Sequence, residues 1–206
     1  MDLPTEEQCL DYFKQYKVPP HIMAHCLKVK EVAFFLATQL QNNDIAVNLD
    51  FVRSLALLHD LFKTVTFPEL KSSKLYPHEY SSEEIAVWQE LRKKFAGKYE
   101  SEIASEVFKD IYPELALSLK NVSSPKHTDP SMEEMLVHYA DLRVLQERIV
   151  SVLERMEYLM GRYQNKEEYW EAFFAALKEK EQKIFSHLDF SPRELAAEMR
   201  GLNNGQ

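Results

Sequence analysis

Four times along this chain a hydroxyl residue stands three places before a Glu or Gln at the head of a helix-period run: Thr5/Gln8, Ser81/Glu84, Ser131/Glu134 and Ser191/Glu194. In that spacing the hydroxyl and the Glu or Gln side chain satisfy backbone N–H groups that a helix start leaves orphaned. Pro192 follows Ser191 at the first helical position, where its missing N–H is no loss. Pro19-Pro20 separates a predicted helix over about 5–16 from one over about 21–41, and Asn42-Asn43-Asp44 ends the second. Further helices are predicted over about 50–63, 82–95, 99–110, 113–121, 132–160, 166–187 and 192–200. Residues 64–80 and Ser123 to Pro130 read as irregular connections, and the long helix breaks near Gly161. No stretch alternates with period two over a useful length. Four glycines in 206 residues argue against a turn-rich β protein and against Gly-rich phosphate loops. The expected fold is all-α: one helical domain over 1–160 and a C-terminal helical extension over 161–206 packed on it.

The formal net charge of −8 bears on partners. An acidic chain repels a long polyanion unless a basic stripe overrides the total. The basic run Arg92-Lys93-Lys94 is short, set among acids, and reads as a solvated helix face. No long nucleic acid is therefore expected as a partner. Cys9 and Cys26 form no CxxC pair and sit at apolar helix positions, so they read as buried free thiols. The first residues lack the basic-then-apolar order of a signal peptide. No apolar run approaches the ~20 residues of a membrane span. A cytoplasmic protein without a membrane partner is the expectation, with a homodimer left open.

Polar residues stand where apolar ones should. Leu55–Leu58 and Leu61-Phe62 are apolar on every side, as in a core helix. Yet His59 and Asp60 sit adjacent in the middle of that predicted helix. A buried carboxylate costs several kcal/mol unless compensated, on the order of the penalties known for buried ions. A metal ion would compensate it; so would a hydrogen-bonded Asp–His pair. Asp141 shares a helix face with Val137 and Val144 and is therefore another carboxylate pointing inward, with a salt bridge to a buried Arg or Lys as the alternative account. His25 borders the buried side of the second helix, and His21 lies one turn earlier. Together His25, His59, Asp60 and Asp141 offer two imidazoles and two carboxylates on three helices. That mixed set suits Mn, Fe, Co, Ni or Zn and excludes a thiolate zinc site.

In this order, His25 within VPPHIMAHCLKVKEVAFFLA, His59-Asp60 within ALLHDLFK and Asp141 within HYADLRV, the chain resembles the HD-domain superfamily of metal-dependent phosphohydrolases. The likeness spans about residues 18–158 and leaves the C-terminal quarter uncovered. It implies an all-α fold in which His25, His59, Asp60 and Asp141 ligate one divalent metal (Mn, Fe, Co, Ni, Zn or Mg). It also implies hydrolysis of a phosphomonoester or phosphodiester, with a nucleotide the first expectation. Many relatives carry Gly where Phe62 stands. Two-metal members carry further histidines; His78 could correspond to one, while His127 falls too late for the other, which favours one metal.

On this reading Asp60 or Asp141 would hold or deprotonate a water. Lys63 would neutralise phosphate charge, or simply answer the helix dipole. His78, beside Glu79, and His21 are candidate substrate contacts, and Arg53 and Arg143 weaker ones; a plain surface loop accounts for His78 equally well. There is no GxxxxGK[ST], GxSxG or HExxH string. The competing reading is a regulatory module that binds a nucleotide or metal without turnover. Tyr169, Trp170, Phe173 and Phe174 would then dock a partner; otherwise that stripe packs onto the domain.

Overall fold

The computed structural model describes residues 2–72, 78–122, 124, 127–163 and 167–203, with residues 202 and 203 described by backbone only. Parts of the two predicted connections, 73–77 and 123 with 125–126, lie outside the described residues. The chain runs α1 (Glu6–Gln15), α2 (Pro20–Asn42), α3 (Leu49–Leu58), a short 3-10 helix (Lys63–Thr66), α4 (Ser82–Lys94), α5 (Glu100–Phe108), α6 (Pro113–Asn121) and α7 (Met132–Asp141). A hairpin of two-residue strands, β1 (Val144–Leu145) and β2 (Arg148–Ile149), precedes α8 (Val152–Arg162), α9 (Glu167–Phe185) and α10 (Leu195–Asn203). The molecule is mostly helical, as expected. None of its described helices is long and apolar enough to cross a membrane.

The predicted helix starts are built as capping boxes. Thr5, Ser81 and Ser131 each accept from the backbone N–H three residues on, while Gln8, Glu84 and Glu134 reach back to the cap N–H. At the fourth, Glu194 accepts from Ser191 N–H at 2.8 Å, but α10 proper begins only at Leu195. Asn48 caps α3 by accepting from Phe51 N–H, and its own N–H donates to Glu133 at the start of α7.

The core lies between α2, α3 and α7, which pack on one another. Val29, Val32, Leu36 and Leu40 of α2, Leu55 and Leu58 of α3, and Leu136 and Val137 of α7 are buried there. Burying each such side chain is worth about 1.5–3 kcal/mol, so this joint is the rigid part of the molecule. Phe62 is buried edge-on against Tyr16 with ring centroids 4.7 Å apart.

Two predicted helices are corrected. The helix over 50–63 ends at Leu58. Beyond it, Leu61 N–H donates to Leu58, Lys63 to Asp60 and Val65 to Phe62, the three-residue spacing of 3-10 bonding. His59 and Asp60 thus stand at a helix end, not in its middle. The long helix over 132–160 is cut at Asp141. The chain turns through a hairpin with Gln146 at φ 58° and restarts as α8. No Gly or Asn marks that turn; the signal overlooked in the sequence is Ser151, three places before Glu154, which caps α8 by accepting from Glu154 N–H at 3.1 Å.

The extension is tied into the same core. Trp170, Leu177, Ile184, Phe185 and Leu195 are buried in it. Of the aromatic stripe, Trp170 is inside, Phe173 and Phe174 pack partly against the core, and Tyr169 remains exposed.

Candidate metal centre

Three of the helices that make the core each end or open on one polar cluster. His25 comes from the second turn of α2, His59 and Asp60 from the end of α3, and Asp141 from the last position of α7. His25, His59 and Asp60 each place one ligating atom within 4.8 Å of the others. Asp141 Oδ1 lies 2.9 Å from His25 Nε2 and 3.9 Å from His59 Nε2. Asp60 Oδ2 lies 3.9 Å from the same His59 Nε2. The four predicted ligands therefore converge.

His59 is the most informative of them. Its Nδ1 lies 2.7 Å from the Ala56 carbonyl, which can only accept, so in the neutral ring Nδ1 carries the proton. That leaves Nε2 with an unprotonated lone pair. Nε2 is buried and has no hydrogen-bond partner among the described residues. Both carboxylates lie 3.9 Å from it, too far for a hydrogen bond. A dry lone pair facing two anions is costly unless something positive stands between them. A backbone carbonyl fixing the far nitrogen is also how a ligating imidazole is commonly held. The residues present fit a divalent cation with N/O preference.

The electrostatics agree with that fit. Burial raises the Asp141 pKa, but the His25 hydrogen bond and the charges of His25 and Arg155 outweigh it and hold the carboxyl well below the usual range. Burial likewise opposes ionisation of Asp60, and the Lys63 charge, with that of His25, overcomes it. Burial disfavours the His25 imidazolium, but the Asp141 hydrogen bond and the Asp141 and Asp60 charges leave its pKa raised. Both carboxylates are thus anions at neutral pH, ready to ligate or to accept hydrogen bonds.

Lys63 flanks the cluster. Its ammonium lies 3.3 Å from Asp60 Oδ1 and 3.0 Å from Glu100 Oε1. The Asp60 charge raises its pKa, burial opposes that, and Glu100 adds to the rise. Glu100 also accepts from Thr66 at 3.1 Å, so it ties the 3-10 helix to the start of α5. Arg92 of the basic run is not a solvated face: it donates to the carbonyls of Thr64, Val65 and Phe67 and caps that 3-10 helix.

The cluster opens into a cavity of about 430 Å³ whose lining includes His21, His25, Asp60, Lys63, Asp141 and Arg155. The predicted contact His21 is there; burial, then the charge of His78, lowers its pKa to about 4, so it is neutral. His78 is not among the described residues that line the cavity; it lies 3.1 Å from Glu84. His127 is engaged with Glu134, 2.9 Å away. Arg53 pairs with Asp50 on the far side of α3. Arg143 is buried in the joint between α7, the hairpin and α9. Neither arginine reaches the cavity.

Sequence reasoning missed Glu100 and Arg155. Glu100 reads as an ordinary first-turn acid. Arg155, with Nη2 3.9 Å from Asp141 Oδ1, was hidden by the uninterrupted helix predicted through that region. Comparison with family models, curated proteins and solved structures finds no match for this chain.

Proposed function

We propose that this protein is a divalent-metal-dependent phosphohydrolase of the HD-domain type, acting on a small phosphate ester such as a nucleotide. The observation that carries the reading is the dry Nε2 of His59, aimed between Asp60 and Asp141 with His25 beside them. His25, His59, Asp60 and Asp141 would hold the ion. When bound, the ion supplies a Lewis-acid centre that polarises a phosphoryl oxygen and acidifies a water.

The protein's own groups do the rest. Asp60 and Asp141, kept ionised, accept hydrogen bonds from the attacking water and orient it. Lys63 is fixed between Asp60 and Glu100 and turned to the cavity, where its ammonium offsets charge on a phosphoryl oxygen. Overall, water adds to phosphorus, the ester P–O bond breaks, and the alcohol leaves with a proton. The partly enclosed cavity admits a small molecule rather than a polymer, in keeping with the acidic chain.

The test has three readouts on the purified chain: metal content, melting temperature before and after chelation, and phosphate release from a panel of nucleotides and aryl phosphates. The expected result is close to one divalent ion per chain, a lower melting temperature on chelation, and turnover that Asp141→Asn abolishes. Metal binding without turnover in the wild type would favour the regulatory module. Absence of both metal and turnover would refute the reading.

A further inference from the structure

The wall of the cavity facing the His/Asp cluster is one face of α8. Arg155, Tyr158 and Arg162 fall three and four residues apart, which sets them on the same side of a helix, and all three line the cavity. They form a ladder. The Arg155 guanidinium lies 5.5 Å from the centre of the Tyr158 ring. The Tyr158 hydroxyl accepts from Arg162 Nη1 at 3.0 Å.

Arg155 carries the inference. Only 14% of its side chain is exposed. Its Nε is buried without a hydrogen-bond partner among the described residues. Its Nη2 is the atom nearest Asp141, at 3.9 Å, too far for a hydrogen bond. Nε and Nη2 share one edge of the guanidinium, the edge that engages two oxygens of a phosphate or carboxylate at once. A guanidinium cannot shed its proton to escape burial. A dry N–H on that edge is therefore a donor in want of an anion.

The two cations on either side of the cluster set the shape of that anion. Lys63 stands against Asp60 and Arg155 against Asp141, with His59 Nε2 3.9 Å from each carboxylate. A group placed between them meets positive charge from two sides and the ligand cluster from a third. A phosphomonoester has three terminal oxygens to offer in three directions. A diester has two, its third direction being taken by the second ester. The remaining ester oxygen would point along α8, where Leu159 and Tyr163 supply apolar lining.

We infer that Arg155, held by the Tyr158–Arg162 ladder, binds the phosphate, and that the substrate is a phosphomonoester with a planar or apolar group on its oxygen. This inference rests on the phosphohydrolase reading of the same site. Arg155 is then the phosphate-contacting residue on the α8 side, as Lys63 is on the α3 side.

The experiment titrates phenylphosphonate, a monoester-like dianion that cannot be hydrolysed, into the full-length metal-supplemented protein by calorimetry. Its monomethyl ester, a diester-like monoanion, is the comparator. Wild type should bind the dianion at least about tenfold more tightly than the ester. Arg155→Gln should weaken the dianion by about tenfold or more with metal content and circular dichroism unchanged. Arg155→Lys keeps the charge but not the two-pronged edge, and should stay several-fold weaker than wild type. It also serves should Arg155→Gln fail to fold. Equal binding of the two phosphonates, binding of neither, or variants that bind like wild type would overturn the inference. A chain that takes up no metal refutes the metal reading separately; the Arg155 dependence is then read on the metal-free protein, where its loss overturns the phosphate contact too.

Discussion

Replacing Arg143 with Met asks whether the C-terminal helices are part of the fold. Arg143 is 4% exposed. Its Nε donates to the Val150 carbonyl at 2.5 Å, Nη1 to the Tyr139 hydroxyl, and Nη2 to the Pro192 carbonyl at 3.0 Å. Tyr139 in turn donates to Glu181 at 2.8 Å, and Glu181, itself buried, lies 3.8 Å from Nη1. Methionine fills the volume of the stem but leaves two carbonyls without their donor and Glu181 with one cation fewer. Breaking a buried pair by removing one partner costs about 3–5 kcal/mol. Lys178, at 2.7 Å, still faces Glu181, so the lower part of that range applies, about 3–4 kcal/mol. For a chain of this length each kcal/mol moves the melting temperature by about 2–4 °C. The expected drop is therefore about 6–16 °C, with a matching fall in the urea midpoint and an unchanged slope. The double variant Arg143→Met/Glu181→Leu removes the stranded carboxylate as well and should recover at least half of the loss. Metal content and turnover per folded molecule should be unaffected, since Arg143 does not line the cavity. A melting temperature within about 2 °C of wild type, or turnover lost without loss of stability, would refute this account.

Two further predictions concern single side chains. Lys63→Ala should keep its metal and lose about tenfold or more in turnover of an aryl phosphate, since it removes a cation facing the phosphoryl group and not a ligand. Loss of metal in that variant would mean that Lys63 serves mainly to hold Asp60. His138 is pressed against Lys180, with Nδ1 accepting from the ammonium at 2.8 Å. Burial, then the Lys180 charge, lowers its pKa to about 4. As pH falls from about 6.5, the unfolded chain takes up this proton first, so stability falls, and the loss levels off near pH 4, where the folded protein binds it too; the total is at most roughly 3 kcal/mol. His138→Asn keeps an acceptor for Lys180 without titrating, so its melting temperature should fall less than that of wild type between pH 7 and 4.5. Parallel pH profiles for the two would show that His138 is not the group responsible.

Which features the sequence disclosed depended on whether a residue violated a local rule. His59-Asp60 and Asp141 stood out because charged groups interrupted apolar faces, and the structure brings them together with His25. Helix starts at Thr5, Ser81 and Ser131 were visible because a capping box is a local interaction with fixed spacing. The end of α3 was not, since the switch to 3-10 bonding after Leu58 follows from Phe62 packing on Tyr16 and from Arg92 gripping the carbonyls of Thr64, Val65 and Phe67, all contacts distant in sequence. The hairpin after Asp141 was hidden for the opposite reason: Leu145, Gln146, Glu147 and Arg148 suit a helix, and Arg143 imposes the turn by donating to the Val150 carbonyl seven residues on. Glu100 and Arg155 break no local rule and gain meaning only from what the fold sets opposite them.

The hairpin at Gln146 divides the labour of the site in a way that bears on how such a protein changes over generations. Asp141 ends a helix locked into the core, so drift there endangers the His/Asp cluster and the fold together. Beyond the hairpin, α8 turns one face to the cavity while Leu153 and Met160 lie open to solvent. Of its cavity-facing positions, Arg155 lies against Asp141 of α7; Leu159 and Tyr163 stand farther along the chain. Descendants of one ancestral sequence could therefore diverge in the group they accept by altering Leu159 and Tyr163 while keeping Arg155 and the cluster opposite it.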